Sequence, residues 1–599
     1  GSGLCPVVAL RSMIQTKINI ISSRLLFRVP VAVGAIIFSL LAVLLVEPEL
    51  AQGIVRYGGY FFTLVASGAF AVYFVLSVRS LACPGGCRGR MIACSLSVLL
   101  GSLLLFAHAD FGYKMAMDDY ILVATAKSMH ENKEVAVTQV GSFFGNTFKR
   151  DAVQVDKRQW FYPFVVSSLH DLIGYRSANP FVVNALAAVL FLGGVYLFGY
   201  LLAGQMAGVL SVLLWATLPL LAQNATGAGM EMLNLLMLQI VALLAVLYLR
   251  KPSSSLEGAL SLAAVLLTYT RYESGLFLIP VGVVIVLGWW RERRVLLSWG
   301  SVCAAPLLLG VVLQTSIYVA TESSWEMMRG ANSPFSIGNL LANFPHALNF
   351  FFSGDDTLAN SLLLSVLGFP ALVAFLVLAR RELTSYWGKN PAGVITLLFG
   401  LFLLLHLGVV ISFHAGQLDR PFVSRYALPF HWILVFSLIA VLGNAAVWWP
   451  QVWRAFITVA LVFILSFTLP MNTKAIFSKT NFRVRELNWL EAMSDLRFKP
   501  RSLIIDRVTI PWALREWVAI EPQVALLNVD GITRDVVSRK YPEVFLVERM
   551  HYDRGEFVAD FPAIVDLQKV FKMELVRERS FRPFELTRLY RLTGYRPPN

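Results

Sequence analysis

Charged residues are scarce in this chain. Asp, Glu, Lys and Arg make up 15% of its 599 residues, whereas soluble domains average about a quarter. Hydrophobic residues reach 57% and the mean hydropathy is +0.65. Apolar runs of roughly twenty residues recur along the sequence, and they are continuous rather than alternating, which excludes a transmembrane β-barrel. The composition therefore predicts a polytopic α-helical membrane protein.

Disulfide and nucleotide-binding patterns are also lacking. The five cysteines do not form a disulfide framework, and no glycine-rich phosphate loop follows a predicted strand. The net charge is +14, but no basic patch is interleaved with aromatic residues, so we expect no nucleic acid partner. The basic residues instead fit loop charges that fix membrane topology and contact anionic lipid.

Basic residues predict the orientation in the membrane. Four of them precede the first apolar run, so residues 1–28 form a predicted cytoplasmic N-terminus. About thirteen spans follow, and an odd number places the C-terminus outside. The predicted spans are Val29–Val46, Ile54–Val78, Met91–Ala109, Phe181–Leu202, Ala207–Leu221, Met232–Leu249, Leu256–Tyr269, Gly275–Trp290, Leu296–Val319, Ser361–Leu378, Val394–Phe413, Ala427–Ala446 and Trp453–Pro470.

The spans divide the chain into segments. Three helices (29–109) precede a polar extracytoplasmic loop with interfacial helices (110–177), and a transmembrane core (178–470) with outer loops 320–358 and 414–426 follows. Residues 471–599 read as a soluble extracytoplasmic α/β domain, large enough for a core of its own. Its predicted strands are Leu503–Ile505, Val524–Val529, Val544–Val547, Lys572–Arg577 and Glu585–Tyr590, and its predicted helices are Pro511–Ile520, Thr533–Lys540 and Asp560–Val570.

The polar loop carries the pair Asp118-Asp119 directly before a predicted helix. Two adjacent acids just outside a span can supply a general base or hold a divalent metal. Asp also favours the first turn of a helix, so a solvated helix start explains the pair as well. Both interpretations stay open on these residues alone.

A basic and aromatic stretch follows in the same loop. Lys157 and Arg158 suit a lipid phosphate group, and contact with bulk lipid headgroups fits them equally. Trp160, Phe161, Tyr162 and Phe164 fit an interfacial aromatic belt, which leads into an interfacial helix.

Ionisable residues also lie at predicted outer ends of spans. Glu231, Arg271 and Glu273 hold such positions, where a plain salt bridge is a sufficient explanation. Arg420 and Arg425 lie in a loop that is predicted to be outside and break the charge bias there, which indicates anion binding.

In their order, these segments resemble the GT-C glycosyltransferases, in the branch of protein O-mannosyltransferase-like, aminoarabinose-transferase-like and dodecaprenyl-phosphate galacturonosyltransferase-like enzymes. The family's first outer loop has an acidic pair followed by an alanine and a methionine, as in Asp118-Asp119, Ala126 and Met129. Gln159-Trp160 stand where prolines usually follow the basic residue. Further matches are Arg158 with Phe161-Tyr162-Pro163 and Gly174, the later acid Glu231, Thr270–Gly275, and Arg425-Tyr426 with Pro429.

The resemblance implies a GT-C-like polytopic fold and an inverting glycosyltransferase (EC 2.4 class). Its donor would be a polyprenyl-phosphate sugar and its acceptor a lipid, glycan or protein, as in lipopolysaccharide or polysaccharide modification. The site would face the periplasm at the bacterial cytoplasmic membrane. The implied roles are Asp118 as catalytic base with Asp119 second, Lys157, Arg158, Arg420 and Arg425 at the donor phosphate, and Glu231, Arg271, Glu273, Tyr162 and Tyr426 around the substrates.

Relatives differ in needing a divalent metal, and Asp118 and Glu231 are the ligands expected if this chain holds one. Two other classes of function are open. A transporter or flippase of polyprenyl-linked glycans would show ionisable residues near span centres and broken helices in repeated halves. A non-catalytic envelope assembly protein would explain the C-terminal domain, but not acids and bases gathered on one predicted outer face. The span-end charges favour the transferase.

Overall fold

The computed structural model describes residues 27–596, except for 81–86, 321–332 and 460–481 and for positions 43, 356, 449–450, 452–454, 456–457, 500, 539 and 554. Residues 1–26 of the predicted cytoplasmic N-terminus lie outside the described residues, as does most of the predicted span Trp453–Pro470.

Apolar helices form a bundle in the first three quarters of the chain. Among the described residues, nine helices are long and apolar enough to cross a membrane, and shorter apolar helices and a bent pair accompany them. The helices of this region are α1 (Phe27–Ala42), α2 (Pro48–Ser80), α3 (Cys87–His108), α4 (Met117–Asn132), α5 (Phe161–Ile173), α6 (Asn179–Ala203), α7 (Gln205–Ala216), α8 (Pro219–Ala225), α9 (Glu231–Arg250), α10 (Ser254–Thr268), α11 (Leu278–Glu292), α12 (Trp299–Ala320), α13 (Ile337–Phe352), α14 (Leu362–Lys389), α15 (Pro391–Ser412) and α16 (Phe430–Trp448).

The predicted class, a polytopic helical membrane protein, is confirmed, and the predicted spans before Trp453 coincide with apolar helices. The predicted span Ala207–Leu221 needs a correction, because it is broken into α7 and α8 with a bend of 74°. Pro219 is the cause: proline lacks the backbone N–H that the helix needs, and its ring clashes with the preceding turn. Leu218 accordingly adopts an extended conformation before α8 begins.

Residues 110–178, between α3 and α6, hold α4, α5 and a β-hairpin. Its strands are β1 (Val137–Phe144) and β2 (Thr147–Gln154), which pair antiparallel around Gly145 at φ 61°. The sequence carries a signal for this hairpin, because the two residues Gly145-Asn146 separate two runs that contain Val, Thr and Phe. We call the end of the bundle that carries α4 and α5 the α4 end.

The C-terminal region is an α/β domain, as predicted. Its six-stranded sheet has the order β4-β3-β5-β8-β7, with β6 paired to β5, and mixes parallel and antiparallel pairs. The elements are α17 (Phe482–Arg497), β3 (Leu503–Ile505), α18 (Ile510–Leu514), β4 (Val518–Ile520), α19 (Pro522–Leu527), α20 (Val529–Val537), β5 (Val544–Asp553), β6 (Glu556–Ala559), α21 (Pro562–Val570), β7 (Phe571–Arg582) and β8 (Glu585–Tyr595).

Two predicted elements of this domain are wrong. Val524–Val529, predicted as a strand, lies in helices, while Val518–Ile520, predicted as the end of a helix, is strand β4. Pro522 opens α19 at a position where proline is well suited, and Val518–Ile520 pairs with β3 in parallel. Short apolar runs do not distinguish a strand from a buried helix, which explains both errors.

Helix α4 joins the bundle to the C-terminal domain. The Tyr120 hydroxyl donates to Glu491 at 2.8 Å, and the Lys127 ammonium binds Glu516 at 2.9 Å. Ile121 and Ala124 pack in a small apolar cluster against Leu514 and its neighbours. The domain therefore fixes the helix whose first turn carries the acidic pair.

Candidate active site

The first turn of α4 carries the carboxylate at the centre of the site. Asp118 accepts hydrogen bonds from two arginines: Arg158 binds its Oδ1 and Arg425 binds its Oδ2. Arg158 lies in the loop before α5, and Arg425 lies in a 3₁₀ turn before α16. Three segments that are distant in sequence thus meet at one carboxylate, whose side chain is 24% exposed.

The ion pairs continue on both sides of Asp118. Arg425 Nη1 lies 3.0 Å from Glu231 Oε1, and the same oxygen accepts a 2.8 Å bond from Arg271. Arg271 also binds the carboxylate of Glu273 at 2.6 Å, and Arg158 binds that of Asp156 at 2.8 Å. We call these alternating charges the arginine network: Asp156, Arg158, Asp118, Arg425, Glu231, Arg271 and Glu273.

Burial makes this pairing necessary. The side chains of Arg271 and Arg425 are 5% exposed and that of Glu231 is 3% exposed, and a buried charge without a partner is strongly destabilising. Burial by itself would raise the pKa of Asp118, but Arg158 and Arg425 outweigh it and hold that pKa well below its usual range. Asp118 is therefore ionised at neutral pH.

Asp119 is bound quite differently from its neighbour. Its Oδ2 accepts backbone N–H bonds from Lys114 at 2.7 Å and Met115 at 3.1 Å, which fixes the loop before α4. In that loop Ala116 has φ 44°, a conformation that costs energy for a residue with a side chain. Burial raises the pKa of Asp119 to about 6, although the two backbone N–H groups oppose this. Its Oδ1 has no hydrogen-bond partner among the described residues.

Oε2 of Glu231 is another carboxylate oxygen without a hydrogen-bond partner in the described part of the chain, and it lies close to Asp119. A Cβ atom built on Gly229 would lie 2.3 Å from this oxygen and 3.5 Å from Asp119 Oδ1, so both oxygens border the same space. The Asn184 amide holds the loop there by donating to the carbonyls of Gly227 at 2.9 Å and Gly229 at 2.8 Å. Glycine at position 229 keeps this space open.

A cavity of about 380 Å³ opens beside the arginine network. Glu273 belongs to both, and the ring of Tyr426, which lines the cavity, lies 4.8 Å from the Arg271 guanidinium and 5.1 Å from that of Arg425. The cavity is thus lined by an apolar surface and by charged and polar side chains. The apolar lining is Leu276, Phe335, Val409, Val410 and Phe413, and the polar lining is Lys157, Gln159, Tyr272, Glu273, Gln314, Thr315 and Tyr426.

Most residues that the sequence singled out lie together. Six of them belong to the arginine network, Lys157 and Tyr426 line the cavity, and Asp119 lies directly beside the network. Two lie apart. The Arg420 side chain is exposed and forms no hydrogen bond or ion pair with the described residues. Tyr162 is fully buried, and its hydroxyl donates to the Pro180 carbonyl at 3.0 Å.

The predicted interfacial aromatic belt is wrong. Trp160, Phe161, Tyr162 and Phe164 are all buried in the core of the bundle. The Trp160 indole N–H donates to Thr63 on α2 at 2.7 Å, and a belt at the membrane surface would not offer such a buried partner. The stretch therefore anchors α5 to the bundle and sets the position of Arg158, two residues earlier.

Sequence reasoning missed three residues of this region. Asp156 closes one end of the arginine network, and Gln159 and Gln314 line the cavity. An acid beside Lys157 and Arg158 was a usable signal, as was a lone glutamine inside the apolar run of α12. Neither signal reveals which partner the side chain has.

The residues expected to hold a divalent metal do not fit one. Both oxygens of Asp118 are bound by the guanidinium groups of Arg158 and Arg425, and Oε1 of Glu231 is bound by those of Arg425 and Arg271. A cation at these oxygens would have to displace arginines that carry the same sign of charge. Among the described residues there is also no group of three or more His, Cys, Asp or Glu side chains arranged to hold a metal.

Fold and site together define the class: a multi-pass membrane protein whose charged site lies at the α4 end beside an α/β domain. No protein-family model matches the sequence, and no curated protein matches it significantly.

Solved structures of ArnT from Cupriavidus metallidurans are similar to this chain. The apo structure has a TM-score of 0.50 and 14% sequence identity, and the match covers 83% of this chain and 97% of ArnT. The structure of ArnT bound to undecaprenyl phosphate also has a TM-score of 0.50 and 14% identity, with 85% and 98% covered. At this identity the similarity shows the fold alone, and for the fold it confirms the resemblance to the GT-C enzymes that the sequence suggested.

Proposed function

We propose that this protein is an inverting glycosyltransferase that moves a sugar from a polyprenyl-phosphate donor to a hydroxyl group of a lipid, glycan or protein. One observation carries the proposal: an ionised carboxylate, Asp118, is held between two arginines beside a cavity with an apolar bed. An anionic headgroup with a hydrocarbon tail matches that combination of charge and apolar surface. The ArnT structure that contains undecaprenyl phosphate supports this choice of donor.

In the reaction proposed here, the acceptor oxygen attacks the anomeric carbon while the bond from that carbon to the phosphate oxygen breaks. The bonding electrons leave with the phosphate, and the acceptor proton passes to Asp118. The anomeric carbon becomes oxocarbenium-like in the transition state, and the neighbouring carboxylate stabilises its positive charge. A single displacement of this kind inverts the anomeric configuration.

The arginine network suits the departure of the phosphate. In the resting site Asp118 neutralises part of the charge of Arg158 and Arg425. When Asp118 takes the proton, it loses its negative charge, and both guanidinium groups become more available to the anion that forms. Proton transfer and leaving-group stabilisation would then be coupled through the hydrogen bonds of Arg158 and Arg425.

We place this chemistry at the periplasmic face of a bacterial cytoplasmic membrane, with the N-terminus in the cytoplasm. Support comes from the basic residues that precede the first apolar run. The domain boundaries at residues 110, 178 and 471 follow from the same topology.

A transporter gains no support from the arginine network, because its charges lie at the ends of helices and in loops.

The test is transfer of labelled sugar from polyprenyl-phosphate donors in membranes with equal amounts of wild type, Asp118→Asn and Asp110→Asn. We expect Asp118→Asn to lower the transfer rate by about 1,000-fold, within the range that a general base contributes. Asp110 is an exposed acid in the same loop, and its substitution should leave the rate within about twofold of wild type. Full activity in Asp118→Asn would refute the assignment of the base.

A further inference from the structure

Two glutamine side chains in the cavity have hydrogen-bonding groups that nothing in the described structure satisfies. Gln159 and Gln314 line the cavity, and each is only 1% exposed. Neither Nε2 nor Oε1 of Gln159 has a partner among the described residues, and Oε1 of Gln314 has none either. Unsatisfied polar groups of this kind are rare in native interiors, so they point to a ligand.

The orientation of the Gln314 amide is fixed by its surroundings. Its Nε2 donates to the backbone carbonyls of Asp156 at 2.7 Å and Arg158 at 3.1 Å. Exchange of the amide nitrogen and oxygen would place an acceptor against two other acceptors, so the free atom is an oxygen. For Gln159 an exchange changes nothing, because both atoms are unpartnered. The cavity therefore offers two hydrogen-bond acceptors and one NH₂ donor.

This set of groups distinguishes between parts of a lipid-linked sugar. A phosphate diester only accepts hydrogen bonds, so it would satisfy the Gln159 NH₂ and leave both carbonyl oxygens buried and unpaired. A prenyl chain satisfies none of the three groups. Sugar hydroxyls both donate and accept, and they can satisfy all of them.

We propose that Gln159 and Gln314 bind hydroxyl groups of the donor sugar and so determine which sugar is transferred. This inference rests on the proposed function and adds the residues that recognise the sugar. The position of Gln159 supports it, because this residue directly follows Arg158, one of the two arginines at Asp118. Gln314 meanwhile ties the same loop to α12 through its two bonds to backbone carbonyls.

Equilibrium binding to the full chain in lipid nanodiscs tests the proposal. The probes are undecaprenyl phosphate alone and undecaprenyl phosphate that carries a hexose, a pentose or an amino sugar. We expect the wild type to bind at least one sugar-bearing lipid more tightly than the bare lipid. Gln159→Met keeps a similar side-chain volume without the amide. It should lower the affinity for that sugar-bearing lipid by about 10-fold and leave the affinity for the bare lipid unchanged.

Gln205→Met is the matched control, because it makes the same change at an exposed residue that begins α7 and should alter neither affinity. Unchanged binding of the bare lipid by Gln159→Met also shows that the variant is folded. Equal loss of both lipids would assign the amide to the phosphate or to the shape of the cavity and overturn the inference. Wild type that binds all the lipids alike would overturn it and leave the proposed function standing, whereas binding of none would overturn both.

Discussion

Two buried ionic clusters in the described part of the molecule look alike and differ in whether all of their polar atoms have hydrogen-bond partners. In the C-terminal domain, Arg549 binds Glu486 at 2.6 Å and Asp506 at 2.5 Å. Every carboxylate oxygen of that cluster has a partner, since Trp512 and Thr587 donate as well. At the α4 end, oxygens of Asp119 and Glu231 and the Arg425 Nε have none among the described residues.

Under the proposed function, this difference separates a cluster that stabilises the fold from one that takes part in the reaction. A saturated cluster has nothing left to offer a ligand, and its removal costs stability only. A cluster that contains buried polar atoms without hydrogen-bond partners is less stable in the resting state. This is characteristic of sites that complete their hydrogen bonds only with a substrate. Variants in the two clusters should therefore change different measured quantities.

The largest expected effect is on the reaction. Arg425→Gln removes the guanidinium that Asp118 and Glu231 share, and we expect transfer to fall by about 1,000-fold, the upper range for losing one donor to a developing anion. Transfer assays on purified protein measure this. Arg176→Gln changes an exposed arginine before α6 and serves as the control. If the transfer rate of Arg425→Gln stays within tenfold of wild type, the α4-end cluster cannot be distinguished from the stabilising cluster by its effect on the reaction.

The next effect is on stability alone. Asp506→Asn leaves the buried Arg549 with one carboxylate, which should destabilise the C-terminal domain by about 3 kcal/mol. Thermal unfolding of the domain, monitored through its susceptibility to proteolysis, measures this loss of stability. Binding of polyprenyl phosphate should stay unchanged at temperatures where the domain is folded. A variant of normal stability with impaired lipid binding would reverse the roles assigned to the two clusters.

The smallest effect concerns pH and Asp119. Its pKa is raised to about 6 in the folded protein, above the value of about 4 expected in the unfolded chain. The protonated form is thus favoured by folding, so this contribution to stability is present at low pH and is lost as the pH rises through 6. Asp119→Asn mimics the protonated form and should be more stable than wild type at pH 7, by about 2 kcal/mol.

Unfolding temperatures of both proteins at pH 5 and pH 7 provide the measurement for Asp119. The advantage of Asp119→Asn should shrink at pH 5, where the wild-type carboxyl is largely protonated. The asparagine carbonyl can still accept the backbone N–H bonds of Lys114 and Met115, so the loop is preserved. An advantage that is the same at both pH values would mean that the buried carboxyl does not titrate in this range.

Sequence alone predicted what depends on composition and local pattern. The apolar runs located the membrane helices, and Leu503–Ile505 was placed as a strand with its observed bounds. The acidic pair and several basic residues were also singled out. What could not be predicted is which of them pair, because the bonds of Asp118 to Arg158 and Arg425 span 40 and 307 residues and leave no local trace. The helix break before Pro219 could have been predicted from the sequence, since proline interrupts helices.

The span between Asp118 and Arg425 has a consequence for biosynthesis. A ribosome releases Asp118 and Arg158 early and Arg425 only 307 residues after Asp118, when most of the helices have already entered the membrane. Until then Glu231 lacks one of its two arginines, and Asp118 lacks one of its own. Under the proposed function, catalytic competence would thus arise only once Arg425 is in place, so that nascent chains stalled before that point would carry little activity.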